Sequence, residues 1–101
     1  MTLHPLLLSQ TAAAGTPTAL VAASLPVNSF RVQKKAGNAT ATFLGVTGSG
    51  KQPFSLENGP IVFEPVGAGP DRRASHRYEL AEFFILTATN GDGVDILAVT
   101  G

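Results

Sequence analysis

The sequence predicts an all-β fold, a compact antiparallel β-sandwich of jelly-roll-like form, and three observations carry that expectation. Turn signals recur at short intervals, from Ala14-Gly15-Thr16-Pro17 through Gly37-Asn38 and Asn58-Gly59-Pro60 to Asn90-Gly91-Asp92-Gly93. Eleven Gly and seven Pro among 101 residues leave few stretches long enough for a helix. The runs between the turns are rich in Val, Ile, Phe and Thr, side chains that suit a pleated, half-buried surface. Spaced this way, they predict about seven short strands.

Taken in order, residues 1–13 read as an extended N-terminal arm or a first strand, and residues 14–101 as the β-sandwich domain. The arm begins Met1-Thr-Leu-His-Pro-Leu-Leu-Leu, with no Lys or Arg and an apolar run of only Leu6 to Leu8. A cleaved signal peptide is therefore not expected. Candidate strands are Thr18–Ala23, Asn28–Lys34, Ala39–Val46, Pro53–Leu56, Ile61–Pro65, Phe83–Thr89 and Val94–Val99. Phe30 and Val32 alternate with Arg31 and Gln33, the pattern of a strand wet on one face. Ala41 and Phe43 alternate with Thr40 and Thr42 and are expected to turn inward. Phe83-Phe84-Ile85-Leu86 is continuously apolar, so burial on both faces or a subunit contact is expected. Asn90-Gly91-Asp92-Gly93 has the chemistry of a tight hairpin between the last two strands. Arg77–Glu82 holds the best helix formers and has room for one helical turn.

Composition narrows the function. Charged residues are 14% of the chain and hydrophobic residues 44%, against about 25% charged in a typical soluble domain. Formal net charge is zero, whereas a nucleic-acid binder shows a basic excess. There is no Cys, which removes disulfides, thiolate catalysis and zinc–sulfur sites. No apolar run approaches the roughly 18 residues that span a bilayer. Surface this poor in charge fits subunit contacts, whose cores are depleted in charge.

No motif assembles a catalytic, cofactor or metal site. Gly45-Val-Thr-Gly-Ser-Gly50-Lys51-Gln52 approaches a phosphate-binding loop, but Gln52 replaces the required Ser or Thr and Pro53 follows where a helix must start. His4 and His76 stand apart, and a metal needs three or four converging ligands. Asn90, Asp92 and Asp95 are oxygen-rich but lack the rest of a calcium loop. Glu79 and Glu82 are a possible carboxylate pair with no cleft to flank. The charge run Asp71–Arg77, with Arg72, Arg73 and Arg77, reads as an exposed loop able to meet an acidic partner.

The order of features resembles that of small virion proteins of tailed bacteriophages, the kind that decorate or cement capsids or form head fibres. The resemblance runs from Ala14-Gly15-Thr16-Pro17 through Ser24-Leu-Pro-Val27, Phe30-Arg-Val-Gln-Lys34, Ala36-Gly-Asn38, Ala41-Thr-Phe-Leu-Gly45 and Pro53-Phe-Ser-Leu56. It continues over Ile61-Val-Phe63, Tyr78-Glu-Leu80 and Asn90-Gly-Asp-Gly-Val94. Gly67–Arg77 departs from the pattern as an apparent insertion. The resemblance implies a non-enzymatic structural protein on the capsid surface of the virion. Its implied partners are the major capsid protein or another virion protein, with no nucleic acid or membrane, and its implied state is a homo-oligomer, first a trimer. Leu3, Leu6, Leu7 and Leu8 of the arm are the expected clasp onto a neighbour, with Arg72, Arg73 and Arg77 as further interface residues. The alternative is a receptor- or carbohydrate-binding tip. Sugar sites favour aromatic platforms beside polar groups, and this chain has no Trp and one Tyr, Tyr78.

Overall fold

A computed structural model describes residues 4–46, 52–65 and 77–100. It contains ten strands: β1 (His4–Thr11), β2 (Thr18–Ala19), β3 (Pro26–Val27), β4 (Ser29–Lys34), β5 (Thr42–Gly45), β6 (Phe54–Ser55), β7 (Ile61–Phe63), β8 (Tyr78–Glu79), β9 (Phe84–Thr87) and β10 (Gly93–Thr100). The fold is all-β, and every strand pairing is antiparallel.

The pairing is nested. β1 pairs with β10, β2 with β9, β3 with β8, β4 with β7, and β5 with β6. The chain is thus one long two-stranded ribbon, doubled back between β5 and β6. Rolling that ribbon brings β10 against β4 and β9 against β5. Two four-stranded sheets result: sheet I in the order β1-β10-β4-β7, and sheet II in the order β2-β9-β5-β6. With the short β3–β8 rung set aside, this is the double-sheet arrangement of an eight-stranded jelly roll.

The core lies where alternating residues of both sheets face inward. Sheet I contributes Phe30, Val32, Val94, Ile96 and Ala98, and sheet II contributes Leu44 and Ile85, all buried. Leu20, Val27, Leu56 and Leu80 close the remaining sides. Each buried Val, Leu or Ile among them stabilises the fold by roughly 1.5–3 kcal/mol on burial. Beside them Phe30 stacks on Phe63, with ring centroids 4.3 Å apart, and both rings take edge contacts from Tyr78 and Phe83. The Tyr78 hydroxyl donates to the Glu64 carbonyl at 2.6 Å.

Several expectations change on contact with the structure. The seven expected runs correspond to β2, β4, β5, β6, β7, β9 and β10, and the three additions among the described residues are β1, which lies in the expected arm, and the two-residue pair β3 and β8, too short to leave a sequence pattern. Residues 4–11 do not form a free arm: they are β1, paired in unbroken register with β10 from His4↔Thr100 to Thr11↔Gly93. Leu6 and Leu8 alternate with Leu7 and Ser9 and pack on the domain's own core, and Pro5 sits on an edge strand, where proline is tolerated. Asn90–Gly93 is a turn, with Gly91 at φ 90°, but it does not close a hairpin. β9 lies in sheet II and β10 in sheet I, so the turn carries the chain across the sandwich.

The alternation in β5 is also inverted. Thr42 is buried and Phe43 faces outward, with Leu86 directly opposite it on β9. Leu44 and Ile85 set this register by entering the core, and Thr42 and Thr87 follow them inward as a cross-strand pair. The Thr42 hydroxyl is satisfied there by Asn38 Nδ2 at 2.8 Å, so its burial leaves no unpaired polar group. Arg77–Glu82 yields a single 3₁₀ turn, Leu80–Glu82, capped by the Glu79 side chain.

Candidate functional site

The outer face of sheet I carries an apolar row beside a polar one, Ser9–Asp95–Gln33. The pairings place Leu7 of β1 beside Leu97 of β10, Leu97 beside Arg31 of β4, and Arg31 beside Val62 of β7. One row of side chains therefore crosses all four strands. Leu7 is 80% exposed, Val62 54% and Leu97 48%. Pro5 and Val99 form the next row with Ser29. Arg31 stands in the middle of the patch, and the ion pairs among the described residues, Lys34–Glu57 and Lys35–Asp95, do not involve it. Shallow depressions flank the row on either side of Arg31, one against Val62 and Val99 and one against Leu7 and Gln33. An apolar stripe centred on an arginine is the composition of an interface core, where Arg is enriched and other charges are depleted.

Sheet II adds a second apolar surface. Because β5 is inverted, Phe43 and Leu86 lie on its outside, and with Gly15, Thr40, Ala41, Thr87 and Ala88 they line a shallow depression. Scattered exposed apolar residues are ordinary; contiguous ones on a sheet face mark contact surfaces.

The carboxylates serve the scaffold. Asp92 is 6% exposed and accepts bonds from the backbone N–H of Ala39 at 3.0 Å, and from the N–H and hydroxyl of Thr40 at 2.9 and 3.0 Å. Asn38 clasps the neighbouring Gly93, accepting from its N–H and donating to its carbonyl. These bonds pin the sheet-crossing turn to the start of β5. Glu79 accepts from the Ser24 hydroxyl and from the N–H groups of Leu25 and Ala81. Glu57 pairs with Lys34 at 3.0 Å and accepts from the Thr42 N–H at 3.1 Å.

These bonds hold three carboxyls below their ordinary values. For Asp92 the cause is first the Ala39 N–H; for Glu79 the Ser24 hydroxyl, then Leu25 and Ala81; for Glu57 the Lys34 ammonium, then the Thr42 N–H. A depressed folded-state value means the folded state resists protonation. The resulting stability is complete above the ordinary values of 4.5 for Glu and 3.8 for Asp, and it is lost as pH falls through the lowered folded values. The thermal midpoint is therefore expected to hold between pH 7 and 5 and to drop steeply below about pH 4.5. Calorimetry across that range checks it, and Asp92→Asn should flatten part of the acid limb.

The candidate sites of the sequence separate accordingly. Asn90, Asp92 and Asp95 do not converge: Asn90 Oδ1 accepts from Ala14 N–H, Asp92 holds Ala39 and Thr40, and Asp95 pairs with Lys35. Among the described residues no three His, Cys, Asp or Glu stand close enough to hold a metal. The phosphate-loop-like stretch from Gly45 joins β5 to β6, two antiparallel strands, and its residues 47–51 lie outside the described residues. Of the expected interface residues, Leu7 is exposed, Leu6 and Leu8 are half-buried in the domain's own core, and Arg77 is exposed; Leu3, Arg72 and Arg73, with His76, lie outside the described residues. Leu97 and Val62 were not among them. Their signal was present as the outward alternates of Ile96–Ala98 and Ile61–Phe63, but only strand order reveals that they align with Leu7. In comparisons with known proteins, the chain matches no protein-family model, no curated protein and no solved structure.

Proposed function

We propose that this chain is a non-enzymatic structural protein that works by assembly, of the kind that decorates or cements a bacteriophage capsid. The observation that carries this reading is the apolar row Leu7–Leu97–Arg31–Val62 across the outside of sheet I. The charge-poor composition and the second apolar face on sheet II support it. Two faces on opposite sides of one sandwich suit a component that contacts both its own kind and another virion protein, such as the major capsid protein. A jelly-roll architecture is compatible with capsid and lectin domains alike, and that is analogy at the level of fold alone. Repetition over a lattice multiplies weak contacts by avidity. The resemblance to decoration proteins makes a trimer the first stoichiometry. A carbohydrate-binding tip is the less supported reading, because the Tyr78 ring is engaged in edge contacts with Phe30 and Phe63 and its hydroxyl is already bonded.

Leu97→Lys tests the reading. It places a charge in the centre of the row without touching the core. Sedimentation velocity should show the parent protein associated at micromolar concentration and the variant weakened tenfold or more, with unchanged circular dichroism. A parent protein that remains monomeric at high concentration would refute the assembly reading. Mass spectrometry of purified particles from the encoding genome tests the virion placement directly.

A further inference from the structure

The two sheets end in four edge strands, and three of them are very short. β7 has three residues, and β2 and β6 have two each. Short edges are a common protection against pairing with other chains. β1 is the exception, with eight residues, no Lys, Arg, Asp or Glu, and a register to β10 that no bulge interrupts.

The direction of its free backbone groups follows from its partner. Opposed residues in an antiparallel pair alternate between those that exchange bonds and those that do not. In β10 the Gly93 carbonyl accepts from Lys35 N–H and the Val99 carbonyl from Asn28 N–H. Odd-numbered residues of β10 therefore serve the β4 side and even-numbered residues serve β1. Their partners on β1 are His4, Leu6, Leu8 and Gln10. Pro5, Leu7, Ser9 and Thr11 consequently aim their backbone groups away from the sheet. The Thr11 N–H is taken by Gln10 Oε1 at 3.1 Å, and Pro5 has no N–H. Leu7 and Ser9 each offer a donor and an acceptor, and Pro5 offers a carbonyl.

We propose that β1 pairs with β1 of a second copy of this chain, antiparallel about a twofold axis at Leu7, which joins two copies of sheet I edge to edge. This inference rests on the assembly reading and names one of its contacts. In this register Leu7 exchanges both backbone bonds with the partner's Leu7, and each Ser9 N–H donates to the partner's Pro5 carbonyl. Leu7 meets the partner's Leu7 on the outer face, and Leu6 meets the partner's Leu8 on the inner face. Sliding by two residues one way sets Leu7 against the partner's Ser9 and Leu6 against the partner's Gln10, which discards the apolar match; sliding the other way sets Leu7 against the partner's Pro5, which has no N–H to return to the Leu7 carbonyl. The second copy is the fitting occupant because the edge is self-complementary. It carries no Lys, Arg, Asp or Glu, so like charges do not meet on the paired strands; one strand in, Asp95 is paired with Lys35 at 2.9 Å, and Arg31 lies two strands from the edge. The contact also consumes the edge in both copies and closes, as isologous contacts do. A twofold contact makes an even-numbered assembly and so replaces the trimer as the expected stoichiometry.

Single cysteines test it, since the chain has none of its own. Under mild oxidation Leu7→Cys should cross-link into a dimer, because the facing Cα atoms of a bonded antiparallel pair lie about 5.5 Å apart, within disulfide reach. Ser9→Cys should not, because in this register its counterpart lies four residues along. Leu97→Lys combined with Leu7→Cys should still cross-link, since Leu97 lies a strand away from the edge. Association of the parent protein without a Leu7→Cys cross-link, or a trimer as the solution species, would overturn edge pairing and leave face-mediated assembly standing. A cross-linked Leu7→Cys dimer in the Leu97→Lys background supports edge pairing even where the face contributes nothing.

Discussion

Gly93→Ala is expected to be the most damaging single-methyl change in the protein. A Cβ at this position would lie 2.0 Å from the Gln10 carbonyl oxygen and 2.8 Å from the Thr11 Cα. Those are backbone atoms of the neighbouring strand, so no rotamer change relieves the overlap; β1 and β10 must separate at that end. The position is also a junction. Its carbonyl accepts from the Lys35 N–H and Asn38 Nδ2, and its N–H donates to Asn38 Oδ1. Displacing it strains the clasp on the turn as well as the β1 ladder. The expected loss is at least about 3 kcal/mol, the upper end of ordinary overpacking penalties. Against a total stability of roughly 5–15 kcal/mol, that is a large share. Urea denaturation followed by circular dichroism reads it, and a midpoint within error of the parent protein would contradict the close approach of the two strands.

Ile96→Ala is expected to cost about 3 kcal/mol. Ile96 is fully buried in the middle of β10, which is itself interior to sheet I between β1 and β4. Its loss leaves a cavity that β4 and β1 on one side and sheet II on the other cannot both collapse into. In a domain of this size the thermal midpoint should fall by roughly 12–24 °C. The adjacent Leu97 is the internal comparison. It points to the opposite face, and Leu97→Ala should change monomer stability by less than about 0.5 kcal/mol. Calorimetry at low concentration separates the two, and similar losses at both positions would mean the inward and outward faces of β10 are misassigned.

The fold class was legible because turn chemistry and β-rich runs are local. Phe30 and Val32 inward and Arg31 and Gln33 outward could be read directly from their alternation. What depends on partners distant in sequence could not. Asn90–Gly93 has a hairpin's residues, yet the turn is captured by Ala39, Thr40 and Ala12, and no local signal announces those partners. Thr42 seemed a surface residue until Asn38 satisfied its hydroxyl. The three leucines of residues 6–8 were legible as an apolar segment, arm or first strand, but their facing was not, since three identical apolar residues conceal which one faces out. β10 resolves this by placing Leu7 alone on the exposed side. The outer row is less legible still. Leu7, Leu97 and Val62 come from opposite ends and the middle of the chain, and only the nested ladder aligns them.

The nested ladder also sets a schedule for synthesis. β1 leaves the ribosome first of the described strands, and its partner β10 leaves last. Until Gly93–Thr100 has emerged, β1 and β4 have no strand between them, and the inner faces of both wait in water with nothing to zip against. Partners this far apart assemble slowly, because loop-closure entropy must be met before the contacts form. A nascent chain stalled before residue 93 therefore exposes its leucine-bearing first strand, and a premature stop there removes the centre of a sheet rather than trimming an end.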